Sequence, residues 1–248
     1  MITNKNSGIA EQGSRLYLQE YMTSGKDELS ELIVAASPSL LAFVNSKTKI
    51  EWKSPLEKSE EGVFYEYRDD FLKVLGLDPE KYTDAKSELK KFWPKNGPQW
   101  DGLAIAIGDK GQHNGLLLVE AKAHIAETKS DIKADFSESI LLINKSISIA
   151  QGHYGVKPTN WTKSNYQLGN RIAFLYFMTE ILQIPTWLVL VNFVDGEHTP
   201  TTKEAWLAHY HTIYGNMGIK HDASKLLNNV IQVFPNVVAK RVKVNQSI

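Results

Sequence analysis

The chain of 248 residues carries 28 basic and 28 acidic side chains, six tryptophans and no cysteine. That length can bury a full core, and the hydrophobic (42%) and charged (23%) shares exclude disorder, collagen-like repeats and a coiled coil as global descriptions. Without cysteine there is no disulfide framework, no thiolate zinc or iron–sulfur site and no cysteine nucleophile. Zero net charge confines any nucleic-acid binding to a local patch.

The polar start has no apolar run of the signal-peptide kind. The longest apolar stretches, such as 188–194, fall far short of the ~20 residues that span a bilayer. The expectation is a cytoplasmic protein. In chain order, 14–22 and 26–36 read as short helices, the second rich in good helix formers and stopped before Pro38. A short extended piece at 49–52 is closed by Ser54 and Pro55. Residues 60–75 read as a longer helix, with Phe64, Tyr67, Phe71, Val74 and Leu75 on one face and Gly76 beyond its end. Another helix at 84–92 ends at Pro94. Then 102–107 alternates small and large residues, 109–115 is a polar glycine-bearing turn, and 116–123 is a continuous apolar run. The pair reads as a hairpin buried in mid-sheet. Helices are expected at 132–150 and 166–182, a core strand at 186–194 and an amphipathic helix at 203–214. One or two late strands fall within 230–244, interrupted by Pro235. The expected fold class is α/β, with an N-terminal helical annex over 1–48 and the main domain over 49–248.

The hairpin carries the chemistry. Charged residues are rare in an apolar buried strand, because desolvating an unpaired charge is costly, yet Glu120 and Lys122 both sit in one. Two residues apart on a strand they share a face, and His124 follows on it. Asp101 opens the preceding strand, so the hairpin brings it back beside them. Two neighbouring carboxylates repel unless they share a proton or a cation. Hard oxygen ligands of this kind suit Mg²⁺ or Mn²⁺ completed by water and phosphate oxygens. The parts match those of phosphodiester hydrolysis.

Asp101 followed by Glu120-x-Lys122 on the second strand of a hairpin resembles the PD-(D/E)xK nuclease superfamily, which includes restriction endonucleases, repair nucleases and junction resolvases. Pro98 stands three residues before Asp101 instead of next to it. The resemblance implies a restriction-endonuclease-like αβββαβ core with a mixed central sheet, covering about residues 60–194. It implies Asp101, Glu120 and the backbone carbonyl of Ala121 as ligands of Mg²⁺ (or Mn²⁺), with Lys122 as catalytic base or charge stabiliser. Glu66, on the helix expected before the hairpin, and Gln167, at the start of the later helix, would be supporting catalytic residues. The implied activity is metal-dependent hydrolysis of DNA.

The implied partner is DNA, contacted through its backbone by Lys129, Lys133, Lys145, Lys157, Lys163 and Arg171. The tight cluster Lys240, Arg241 and Lys243 reads as a solvated tail. No membrane partner is expected, and a homodimer is one way to widen the contact. Two other readings stand beside the nuclease: a catalytically silent member of the fold that binds nucleic acid or protein, and a structural protein whose hairpin charges form a buried network. A turn symmetric about Gln112 would set Ala104 opposite Glu120 and Gly102 opposite Lys122, leaving small residues on the catalytic face. Asp101 would then need a bulge near Gly102 to reach the site.

Overall fold

The computed structural model describes residues 8–44, 50–58, 63–109 and 114–238. Three helices come first: α1 (Gly13–Ser24), α2 (Lys26–Ala35) and α3 (Pro38–Val44). Pro38 ends α2 but also opens α3, with the Ser37 hydroxyl accepting the Leu40 N–H at 3.2 Å as cap and proline as first residue. Strand β1 (Ile50–Ser54) follows, then β2 (Glu57–Lys58) and β3 (Val63–Phe64), which pair with each other.

The helix expected at 60–75 is a correction. Its described part is strand β3, an extended segment in which Tyr67 bridges Trp100, and one 3-10 turn, Phe71–Leu75, closed by Gly76 at φ 60°. The aromatic and β-branched residues Val63, Phe64, Tyr65 and Tyr67 favour extended backbone, and Phe64, Phe71 and Leu72 are buried without a continuous helix. Helix α4 (Pro79–Phe92) starts earlier than expected, because Asp78 caps it through the Lys81 N–H at 2.9 Å with Pro79 next.

The hairpin is present as β4 (Gly102–Ala106) and β5 (Gly115–Lys122). Next come α5 (Ser137–His153), α6 (Tyr166–Tyr176) running into a π-helical turn (Phe177–Ile181), β6 (Thr186–Asn192), α7 (Lys203–Asn216), α8 (Ser224–Leu227) and β7 (Val230–Val233). The five-stranded sheet has the order β1-β4-β5-β6-β7. Strands β1, β4 and β5 are antiparallel, while β5, β6 and β7 run parallel, so the sheet is mixed. The cluster Lys240, Arg241 and Lys243 lies outside the described residues.

Helices cover both faces of the sheet. Leu103, Ile105, Leu116, Leu118, Leu188 and Leu190 pack toward α4–α7. Ala104, Leu117, Val119, Ala121, Val189 and Val191 pack with Leu18, Tyr21, Leu29 and Ile33 of α1 and α2. Burial on both sides explains the continuous apolar run of β5. It also explains why the register was open: where both faces are apolar, no alternation selects one.

The observed register sets Gly102 opposite Val119 and Ala104 opposite Leu117, not opposite Lys122 and Glu120. The small residues Gly102, Ala104 and Ala106 therefore lie on the face away from Glu120, and Asp101 continues the other parity toward it. The bulge expected near Gly102 is a correction: β4 pairs with β5 in regular register, which already turns Asp101 toward Glu120, and the register shift present lies in β1, between Trp52 and Ser54.

Gly115 fixes where β5 begins. A Cβ there would meet the Trp187 ring at 2.8 Å and the Pro185 carbonyl oxygen at 2.9 Å, closer than side chains tolerate. Gly115→Ala should cost about 1–3 kcal/mol through overpacking, measured by chemical denaturation.

Candidate active site

At the carboxyl end of β5 the sheet carries charge into its core. Glu120 is 4% exposed and Lys122 9%, both pointing to the α6–α7 side. Asp101, one residue before β4, places Oδ2 2.8 Å from the Ala121 N–H, which donates to it. Helix α6 supplies the remaining partners. Its first turn is tied down by the Ser130 hydroxyl, which accepts the Gln167 N–H at 2.8 Å. Gln167 and Arg171, four residues apart, then face the same way. Gln167 Nε2 donates to Glu120 Oε1 at 2.6 Å, an oxygen that also accepts from Lys122 Nζ. Arg171 donates to the other oxygen, Oε2, through Nε at 2.7 Å and pairs with it through Nη2 at 2.6 Å. The two oxygens of Glu120 thus take three hydrogen bonds, from Lys122, Gln167 and Arg171 Nε, and an ion-pair contact from Arg171 Nη2.

The charges shift one another. Burial pushes the Asp101 carboxyl up to about 7, and the neighbouring Glu120 adds to this, although Asp101 keeps some exposed surface. Burial also opposes the charge of Glu120, but the Arg171 and Lys122 cations overcome it and hold Glu120 below the usual carboxylate range. For Lys122 burial opposes the ammonium, and Glu120 and Asp101 together raise its pKa. Lys122 is thus a fixed cation, suited to stabilising negative charge and unsuited to taking a proton at neutral pH.

Glu66 is close but separate, and it lies on an extended segment rather than on a helix. It is 5% exposed, pairs with Arg15 of α1 at 2.9 Å and accepts from the side chain of Gln99. Gln99 in turn passes its carbonyl oxygen to Arg171 Nη2 at 2.7 Å. Arg171 does not line a phosphate groove as expected; it is 3% exposed, with its guanidinium 4.6 Å from the Trp100 ring. The five lysines expected beside it, Lys129, Lys133, Lys145, Lys157 and Lys163, are exposed.

Sequence reasoning missed Asn192, Tyr210 and Gln99. Asn192 ends the apolar strand β6 directly opposite Lys122, is fully buried and accepts from the Tyr210 hydroxyl at 2.9 Å. A polar residue closing the run Trp187–Val191 was the available signal. Nothing in the sequence marks Tyr210 or Gln99.

Beside Glu120 and Lys122 lies a cavity of about 20 Å³, walled by Thr128, Asn165, Gln167, Arg171 and Tyr210 among others. That is room for one water molecule. Among the described residues no group of three or more His, Asp or Glu gathers as a metal cage. A cation at the hairpin would rest on two carboxylates and take its other ligands from water, main chain or substrate, a set that Mg²⁺ accepts. Asp101 suits such an ion, since burial and the neighbouring Glu120 are what favour its proton and a divalent cation would take that proton's place; Glu120 would join it by exchanging Lys122 or Gln167 at Oε1 for the ion.

Comparison of the chain with family models, with curated proteins and with solved structures finds no match in any of the three.

Asp101 binds a proton in the folded chain at pH values where the unfolded chain has lost it. Its contribution to stability is therefore full below the ordinary carboxyl range and disappears as pH rises through about 7. Glu120, shifted the other way, contributes above its ordinary value and loses that contribution only in acid. In metal-free buffer, stability should fall between about pH 4 and pH 7 through Asp101, and Asp101→Asn should flatten that slope in denaturant titrations.

Proposed function

We propose that the protein is a metal-dependent nuclease of the PD-(D/E)xK kind, acting on DNA through the hairpin. The observation that carries this reading is the meeting of Asp101 and Glu120 on adjacent strands, with Lys122 on the same face and held as a cation. The antiparallel run β1, β4, β5 followed by helices and parallel β6 supports it, although the β2–β3 pair and α4 stand between β1 and β4, where the αβββαβ pattern has no helix. In this reading Asp101 and Glu120, with the Ala121 carbonyl, hold Mg²⁺ or Mn²⁺. When bound, such an ion would lower the pKa of a water and polarise a phosphoryl oxygen. Lys122 neutralises charge developing on the phosphate. Gln167 orients the Glu120 carboxylate through Oε1, and Glu66 acts at one remove, through Gln99. The five exposed lysines provide non-selective contact to the DNA backbone.

The enclosed site bears on access. A cavity of about 20 Å³ takes a water but not a phosphodiester, so substrate must displace part of the cover. The segment 124–136 is suited to this: it contributes no buried side chain and hangs on Ser164 and Thr162 through the Ser130 and Ile132 N–H groups, each at 2.9 Å.

A binding titration and a plasmid-nicking assay test the proposal together. The protein should bind Mn²⁺ and nick DNA, and Glu120→Gln should remove both. Lys122→Ala should retain the metal and lose about 100-fold or more in nicking. Absence of both Mn²⁺ binding and nicking in the unaltered protein would overturn the reading. The lack of native cysteine gives a clean test of access. Residues 130 and 165 are bridge partners, so the double variant Ser130→Cys, Asn165→Cys should stop nicking when oxidised and recover it when reduced.

A further inference from the structure

We infer that Arg171 is a positioning residue that braces the Asp101 segment against β5, setting the spacing of the two carboxylates. The purpose of the brace rests on the nuclease reading; its geometry does not. The β4–β5 ladder ends at the Gly102–Val119 pair. Beyond it, Asp101 is joined to β5 through the Ala121 N–H, and Arg171 spans the same gap from α6. Its Nε and Nη2 hold Glu120 Oε2, and Nη2 also donates to the carbonyl of Gln99, two residues before Asp101. Trp100, the residue between, lies under the guanidinium at 4.6 Å. Nη1 is turned aside to Asn170 Oδ1 at 2.9 Å.

A planar fork with donors in several directions can join a carboxylate to a main-chain carbonyl while stacking on an indole; an ammonium cannot. The N–H groups that the fork uses all point inward and the side chain is 3% exposed, so Arg171 acts through Glu120 and the Asp101 segment and not on substrate. Holding Oε2 from α6 leaves Oε1 to Lys122 and Gln167, which fixes the carboxylate plane. Partners behind a metal ligand commonly carry 10–100-fold in metal affinity.

Arg171→Lys preserves the charge and removes the fork. It should speed hydrogen exchange at the Ala121 amide by about tenfold or more while the Leu117 amide, in mid-β5, stays as protected as before. Mn²⁺ affinity should fall by about 10–100-fold. Unchanged Ala121 exchange in this variant would overturn the inference, as would equal acceleration at Leu117, the mark of general loosening. If the variant does not fold, the unaltered protein still decides: its Arg171 Nε–H should exchange slowly in NMR spectra, and exchange as fast as that of exposed arginines overturns the brace. Faster Ala121 exchange in Arg171→Lys, in a protein that fails to bind Mn²⁺ at all, supports the brace and removes the metal reading alone.

Discussion

The carboxylate of Glu120 imposes a condition that the surrounding structure meets with three side chains from two elements. A charge enclosed in an α/β sheet costs several kcal/mol unless it is paired and its lone pairs are filled. Lys122 answers from the same strand, while Gln167 and Arg171 answer from α6. Asp101 approaches from the start of β4, and burial first, then the neighbouring Glu120, raise its carboxyl to about 7. Removing Lys122 or Arg171 would leave one oxygen of Glu120 short of a donor where water has little access.

That arrangement depends on a sheet covered on both faces. Helices α1 and α2 seal one side and α4–α7 the other, so β5 is apolar throughout except where the charged pair breaks the run. The same sealing leaves space for a single water beside Glu120. The cover on the charged side is uneven. Helices α6 and α7 are anchored in the core, whereas 124–136 adds only the partly buried Ile125, Ile132 and Ala134 and is otherwise held by hydrogen bonds such as those of Ser130 and Ile132. Local opening is expected first in such lightly packed stretches.

Elements with local signals were readable in the sequence. The alternating β4, the apolar β5 and β6, and the amphipathic helices other than that expected at 60–75 stood where expected, to within a few residues, except that α5 begins at Ser137 and the 166–182 helix ends in a π-helical turn. Errors arose where one local signal served two purposes. Pro38 stops α2 and also starts α3. The aromatic spacing of Phe64, Tyr67 and Phe71 imitates a helix, although extended backbone and one short turn bury the same rings. Asp78 and Pro79 form a start signal that was passed over in placing α4.

By itself the sequence determined which residues carry charge into the hairpin: Asp101, Glu120 and Lys122 were identifiable because their type contradicts their apolar surroundings. Tertiary structure alone decided how they meet. The register had no sequence signal, since both faces of the hairpin are buried and a shift by an odd number of residues exchanges one apolar face for the other. Arg171 was legible as a basic residue but not as a buried one, because its partners Glu120, Gln99 and Trp100 lie 51 to 72 residues away in the chain and come together only when α6 packs onto the sheet.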